Sequence, residues 1–392
     1  DQENRAGPQL VSAAAGQYAP ERQLALYDHA VLLHRRNPDR PLPRDGSPYP
    51  DEELHRSPSR PEHPGDRSAL GAAVCRVLDE HFARASTEPS ALADAFHEVF
   101  VPIHHNDDIA AAARRGDPDR VRDTGRWLVR YGSDRCAVTV GLALLTELGT
   151  PDDIPLIRTI GLLSNQFGPL AAHALERLDP SAQSLLWLAE RAAGWGRVHL
   201  VEALCRLDHP DARPWLLHKA VDGDFLNGYF AGKVAETARV HEEVERFASE
   251  PELLDHAGRV LSVMAHAAGM GTTLRHYTHS AAVLEAHVRH VADLPAAVDR
   301  FYVLATLARH LSSNPAEDSN CTEPQREALL AAHLSLLDRE DWYRATRAAL
   351  EAEDGWLLWF AREGAPQLRL RAFADWAAAL DGAEREELRQ GN

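Results

Sequence analysis

The chain has 392 residues, of which 44% are hydrophobic and 26% charged, ordinary values for a globular protein. Its 59 acidic residues against 42 basic ones give a formal charge of −17, which repels phosphate backbones and disfavours non-specific nucleic-acid binding. No apolar run reaches the length of a membrane span, so no membrane partner is expected.

In chain order, residues 1–20 are small and polar without periodicity. From Glu21 to Arg36, Leu24, Tyr27 and Val31 fall at i, i+3 and i+7, the stripe of one amphipathic helix. Eight prolines then stand between Pro38 and Pro64, with charged residues in most of the gaps. Proline at that density cannot build a helix, and the stretch lacks apolar residues for a core of its own. It reads as an irregular arm, either lying along the body or serving as a linker. Its PxxP spacings at Pro38/Pro41, Pro58/Pro61 and Pro61/Pro64 fit an aromatic groove on a partner, but so many prolines produce them by chance.

Residues 68–100 predict two helices, one starting at Ser68 and one at Ser90. After Pro102, His104-His105-Asn106-Asp107-Asp108 leads into a helix at Ile109, with Asn106 or Asp107 as its N-cap. Four signals of one kind follow: Asp117-Pro118, Thr150-Pro151, Asp179-Pro180 and His209-Pro210. Their prolines lie 33, 29 and 30 residues apart. In three of them a good N-cap residue precedes a proline suited to the first helical position, where its missing N–H costs nothing. Each signal opens an apolar helical run, and a second run follows. Glycines at 132, 168, 196 and 223 are expected to turn the chain between the two. A helix pair repeated about every thirty residues is the mark of an α-solenoid. Beyond residue 240 the spacing loosens, with helices expected at 240–249, 251–268, 280–292, 296–312, 324–337, 340–352, 355–362 and 366–380. The last dozen residues read as a polar cap and tail. No stretch has the alternation of a strand except short pieces such as Ala137–Val140.

The expected fold is therefore all-α: an N-terminal helix and proline-rich irregular arm over 1–66, and a solenoid of helix pairs over 67–392. Lysine occurs only at Lys219 and Lys233, so arginine carries nearly all the positive charge, a sign of GC-rich coding and a bacterial source. Cys75, Cys136, Cys205 and Cys321 form no CxxC pair and mostly sit in apolar helical runs. Buried reduced thiols and a cytoplasmic location are expected. The chain opens on Asp1 rather than Met, so its native start can lie upstream.

The run Gly149-Thr150-Pro151-Asp152-Asp153-Ile154-Pro155-Leu156-Ile157, followed by Gly168-Pro169-Leu170-Ala171-Ala172-His173-Ala174-Leu175, resembles HEAT and armadillo-like repeats. Pro155 and Pro214 match the family's first-helix proline, and Asp134-Arg135 matches its inter-helix pair once. The period is shorter than the usual forty or so residues. The resemblance covers residues 115–240 and implies a non-enzymatic scaffold that binds a protein or peptide along a concave face. One branch of such proteins consists of DNA glycosylases acting on alkylated purines, which is the alternative enzyme reading. That chemistry needs aromatic groups for a damaged base and a carboxylate near the sugar. Trp187, Trp195 and Trp215 with Asp222 or Asp224 are the residues that could supply them. Against it, residues 151–250 hold ten Lys/Arg and fifteen Asp/Glu. Tryptophans at repeat positions are moreover commonly core residues.

Histidine is abundant, at 21 residues. His256, His266, His276, His279, His287 and His290 cluster in one segment. The pairs His276/His279 and His287/His290 are each spaced i, i+3, so on a helix each could face one metal ion or small ligand, or form a pH-sensitive contact. No carboxylate or cysteine completes a ligand spacing there, and neighbours such as His104, His105, Asp107 and Asp108 point to different faces. Phosphate-loop, nucleophile-elbow and HExxH motifs are absent. No catalytic residue, metal or cofactor is assigned.

Overall fold

The computed structural model describes residues 23–56, 69–85, 87–364 and 366–379, and those residues are helical or irregular, with no strand. The helices are α1 (Leu26–Arg36), α2 (Ala72–Ala83), α3 (Pro89–Ala95), α4 (Asp107–Arg115), α5 (Pro118–Tyr131), α6 (Arg135–Leu148), α7 (Ile154–Ile160), α8 (Ser164–Leu178), α9 (Gln183–Ala189) and α10 (Gly194–Leu207). They continue as α11 (Arg213–His218), α12 (Ala231–Thr237), α13 (Pro251–Met264), α14 (Ser280–Val291), α15 (Val298–Ser313), α16 (Glu323–Leu337), α17 (Glu340–Glu351) and α18 (Gly355–Trp359), with a final helix, α19, over 371–379. None of the described helices is long and apolar enough to cross a membrane.

Three of the four proline signals start helices as their chemistry requires. The Asp117 carboxylate accepts the Arg120 N–H, and Thr150 forms a reciprocal capping box with Asp153. His209 Nδ1 accepts the Asp211 N–H. Pro151 and Pro210 each open a single 3₁₀ turn, after which α7 and α11 begin. Asp179-Pro180 behaves differently. Asp179 closes α8, and the chain passes through a left-handed Ala182 (φ 63°) before α9 starts at Gln183. The Asp179 carboxylate still accepts the Ser184 N–H at 2.7 Å, so it caps α9 from one turn further back than the sequence suggests.

Other expectations need correction. The predicted helix at 240–249 is two 3₁₀ turns, Val240–Glu242 and Val244–Ala248, entered through left-handed Arg239 (φ 54°). Ser68, residues 1–20, Pro58, Pro61, Pro64 and the C-terminal tail lie outside the described residues. Of the cysteines only Cys136 is buried as a residue, and Cys75, Cys205 and Cys321 are half-buried thiols. Burial nonetheless pushes the Cys205 thiol up to about 12. Gly132 and Gly223 do stand at turns, but Gly168 and Gly196 lie inside α8 and α10. They are needed for helix approach instead. A Cβ built on Gly168 would sit 3.2 Å from Gly196 Cα, and one on Gly196 would sit 2.7 Å from the Ser164 carbonyl carbon.

Helices touch in a regular succession. α6 packs on α8, α8 on α10 and α10 on α12. Beside them α5 packs on α7 and α7 on α9, and further along α11 packs on α13, α13 on α15 and α15 on α17. One hydrophobic cluster runs from Leu26 through Phe167, Leu204 and Phe301 to Trp376. A smaller one gathers Val74, Leu78, Phe96, Ile109 and Val121 from α2 to α5.

The described part of the arm lies against this body within the same chain. α1 rests on α5 and α7, and the Leu26 N–H donates to Gly132 O. Residues 37–56 then cross the turns that join the two helices within a pair, before α6 and before α8. Asp45 accepts the Ser164 N–H (2.8 Å), the Ser164 hydroxyl (2.7 Å) and the Asn165 N–H (2.9 Å), which caps α8, a helix with no local cap. Asp51, fully buried, accepts the Arg135 N–H at 2.6 Å and its guanidinium at 2.7–3.1 Å. Burial pushes the Asp45 carboxyl up despite these donors.

Two substitutions test this account. Gly196→Ala forces its methyl against Ser164 backbone and is expected to cost about 1–3 kcal/mol, read by denaturant unfolding. Asp45→Ala removes a cap worth about 1–2 kcal/mol and is expected to speed protease cleavage within 37–56, while helix content by circular dichroism stays nearly unchanged.

Candidate functional groove

Beyond α11 the succession of contacts leaves a groove open to solvent. Its floor comes from α13 and α15, one end from the turn after α11, and the far wall from α18. Two adjoining hollows of about 880 and 540 Å³ compose it, sharing His266, Thr306 and Trp356. Periodicity sets which side chains face it. On α13, Asp255, Arg259 and Ser262 recur at i, i+4 and i+7, with His266 in the turn just past its end, while Leu253, Leu254, Ala257 and Leu261 face the core. On α15, Asp299, Tyr302, Thr306, Arg309 and Ser313 recur at i, i+3, i+7, i+10 and i+14.

These groups are held in place by one another. Arg300 makes a two-pronged pair with Asp255 at 2.8 and 2.9 Å and also donates to Pro295 O. The Tyr302 hydroxyl donates to Asp354, the residue that caps α18, so this one bond links the floor to the wall. Trp356 packs on the Tyr302 ring at 4.4 Å and stacks on Phe360 at 4.5 Å. Trp359 is left 43% exposed, with the Arg309 guanidinium 5.8 Å from its ring centre. Burial holds His266 and His310 below the ordinary histidine value, and for His266 the nearby Arg309 adds to this. The lining carries Lys219, Arg259, Arg300 and Arg309 against Asp222, Asp255 and Asp299, a near balance unlike the chain as a whole. Such a groove offers aromatic faces, paired charges and hydrogen-bond donors, but no continuous cationic track for a phosphate backbone.

Lys219 also borders a smaller cleft of about 310 Å³, with Asp39, Glu190, Arg191, Arg197 and Trp215. Here the arm arrives: Arg191 donates to Pro38 O at 2.7 Å and to Asp39 at 3.1 Å. Arg197 is buried and donates to the Ala189, Lys219 and Ala220 carbonyls.

The residues singled out from sequence are scattered by the fold. Trp187 is half-buried between the Arg158 and Arg191 guanidiniums at 4.2 and 4.4 Å, with His34 at its edge. Trp215 is buried under Arg197. Trp195 is exposed and packs on Tyr229 at 4.9 Å. Trp187 and Trp215 thus lie on either side of the arm's landing point, and Trp195 stands in the first turn of α10. Asp222 lines the large groove, while Asp224 caps a 3₁₀ turn.

The histidine pairs do not form ligand pairs either. His276 ends a 3₁₀ turn and contacts Thr273, and His279 precedes α14 and stacks on His241 with ring centres 3.6 Å apart. His287 and His290 share α14, but His287 is buried and touches the groove floor while His290 sits half-buried beside Phe247. What the sequence did not disclose is the groove itself, whose lining is drawn from residue 219 to residue 367. The i, i+4, i+7 polar stripe of α13 was the one signal available.

Compared with known proteins, the chain matches no family model, no curated protein and no solved structure.

Burial takes three histidines far from their ordinary value of 6.5: His256 and His287 fall to about 3, and His333 to about 4. His256 Nε2 accepts the Val221 N–H, a bond only the unprotonated nitrogen can make. The folded chain therefore holds them neutral, while the unfolded chain protonates them below pH 6.5. Their contribution to stability is complete above pH 6.5 and is lost progressively as pH falls toward 4 and 3. The melting temperature should fall already between pH 6.5 and 5, above the range where carboxylates titrate. A flat profile there would contradict the burial described.

Proposed function

We propose that this chain is a HEAT-like α-solenoid that holds an extended protein or peptide segment in the groove over α13 and α15. In this reading residues 67–392 form the solenoid and residues 1–66 its N-terminal helix and arm. The protein works without a covalent step, in a bacterial cytoplasm by its arginine-rich composition and widely spaced cysteines. The succession of helix contacts, each pair against the next, supports the architecture.

One observation carries the binding reading. The chain's own segment from α1 to Asp39 covers α5, α7 and reaches Arg191 after α9, and the open groove starts at Lys219, beside the point where that segment leaves. The first half of this face is occupied by an amphipathic segment of the chain itself, and the second half offers the same kinds of group, arginines and tryptophans, to another. Trp359 and Arg309 are the natural anchors, because exposed aromatic and arginine side chains dominate binding energetics.

The test is selection of peptides on the purified chain, followed by affinity measurement by fluorescence anisotropy. Trp359→Ala is expected to weaken a selected peptide about 30-fold, the equivalent of about 2 kcal/mol, with the melting temperature little changed. Binding that ignores Trp359→Ala and Arg309→Ala, or retention of DNA in place of peptides, would overturn the reading.

A further inference from the structure

The last described residues of the arm meet the body at a second polar cluster, outside the groove's lining. His55 lies in the 3₁₀ turn Leu54–Arg56, Asp134 is the N-cap of α6, and Cys136 is in the first turn of that helix. One ligand atom from each of the three lies within 4.8 Å of the other two, the single such group among the described residues. His55 Nε2 is 3.4 Å from Asp134 Oδ2, close to the roughly 3.5 Å between neighbouring ligands of a tetrahedral zinc ion. The cluster is shielded from water: the His55 side chain is 3% exposed and Cys136 4%.

We propose that His55, Asp134 and Cys136 bind a divalent transition metal, zinc by the chemistry of the donors, and that the ion clips the arm to the body. Imidazole nitrogen, carboxylate oxygen and thiolate sulfur are the zinc donor set, and water completes the tetrahedron. Asp134 can serve both helix and ion. Its Oδ1 accepts the Cys136 and Ala137 N–H groups, which leaves Oδ2 turned toward His55. His97 Nδ1 stands 2.9 Å from that same Oδ2 and orients it, the usual place for a supporting partner of a ligating group.

Charge points the same way. Three carboxylates, Asp51, Glu52 and Asp134, stand here against two guanidiniums: Arg135 pairs with Asp51 and Glu52, Arg56 acts on Glu52, and Asp51 Oδ2 is 3.2 Å from His55 Nε2. A divalent cation offsets that surplus and deprotonates the Cys136 thiol, with the proton released to solvent. Closing a loop between residues 55 and 134 is also where a clip restrains the unfolded chain strongly.

The experiment uses the full chain freed of metal by a chelator and titrated with cobalt(II), then with zinc(II). One cobalt per chain is expected, with the intense visible bands of tetrahedral cobalt and a near-ultraviolet thiolate-to-cobalt band, all abolished by zinc. Cys136→Ser should remove the thiolate band, and His97→Gln should keep it while weakening cobalt binding about 10- to 100-fold. Zinc should also raise the melting temperature and protect residues 37–56 from protease. If Cys136→Ser fails to fold, His55→Gln serves in its place and is expected to abolish tetrahedral cobalt binding. Absence of a thiolate band in the unaltered chain, or its persistence in the folded Cys136→Ser or His55→Gln variant, overturns the proposal.

Discussion

Helix N-termini are the constraint on which this molecule is built. Each helix begins with N–H groups that its own ladder cannot satisfy, and a chain with so many short helices repeats that problem many times. The sequence answers locally where it can, with Asn106, Asp117, Asp134, Thr150 and Asp354. At α8 there is no local answer. The donors of Ser164 and Asn165 are met by Asp45 from the arm, and the Arg135 N–H of α6 is met by Asp51. The arm is thus part of the body's hydrogen bonding, and its carboxylates favour the positive ends of the helices they meet.

That arrangement also divides the face formed by the leading helices. From α5 to α9 it is covered by α1 and the residues up to Asp39, which satisfy Arg191 and cover Trp187. From α13 onward no described segment covers it, and polar side chains pair among themselves instead: Asp255 with Arg300, Tyr302 with Asp354. Paired charges of this kind tolerate desolvation better than lone ones, which lets such a surface be covered and uncovered at modest cost.

Much of the fold was legible in the sequence, because N-caps and prolines act locally. Asp117-Pro118 and Thr150-Pro151 start helical turns where the spacing says they should. The failures came where tertiary contact decides. Gly168 and Gly196 look like turn glycines in a list of spacings, yet their lack of a side chain is used for the crossing of α8 and α10. Arg239 in a left-handed conformation cuts a stretch that reads as helix. The candidate sites were less legible still. His276 and His279 are spaced for a helix they do not belong to, and His287 faces the core because the register of α14 buries Val283, Leu284 and Val291 with it. Neither the groove nor the meeting of His55 with Asp134 and Cys136 follows from any local spacing, since each joins residues from distant parts of the chain.

The helix-to-helix contacts described above mostly join close sequence neighbours, whereas Ser164 to Asp45 spans 119 residues. Contacts between neighbours close small loops and form early, while contacts across large loops wait until their framework exists. The body can therefore assemble through its local helix contacts before the arm is seated. Seating the arm then becomes the last and most reversible step of folding. In the mature protein the amides of Ser164 and Asn165 should exchange with solvent through a local opening, well ahead of those in the middle of α8.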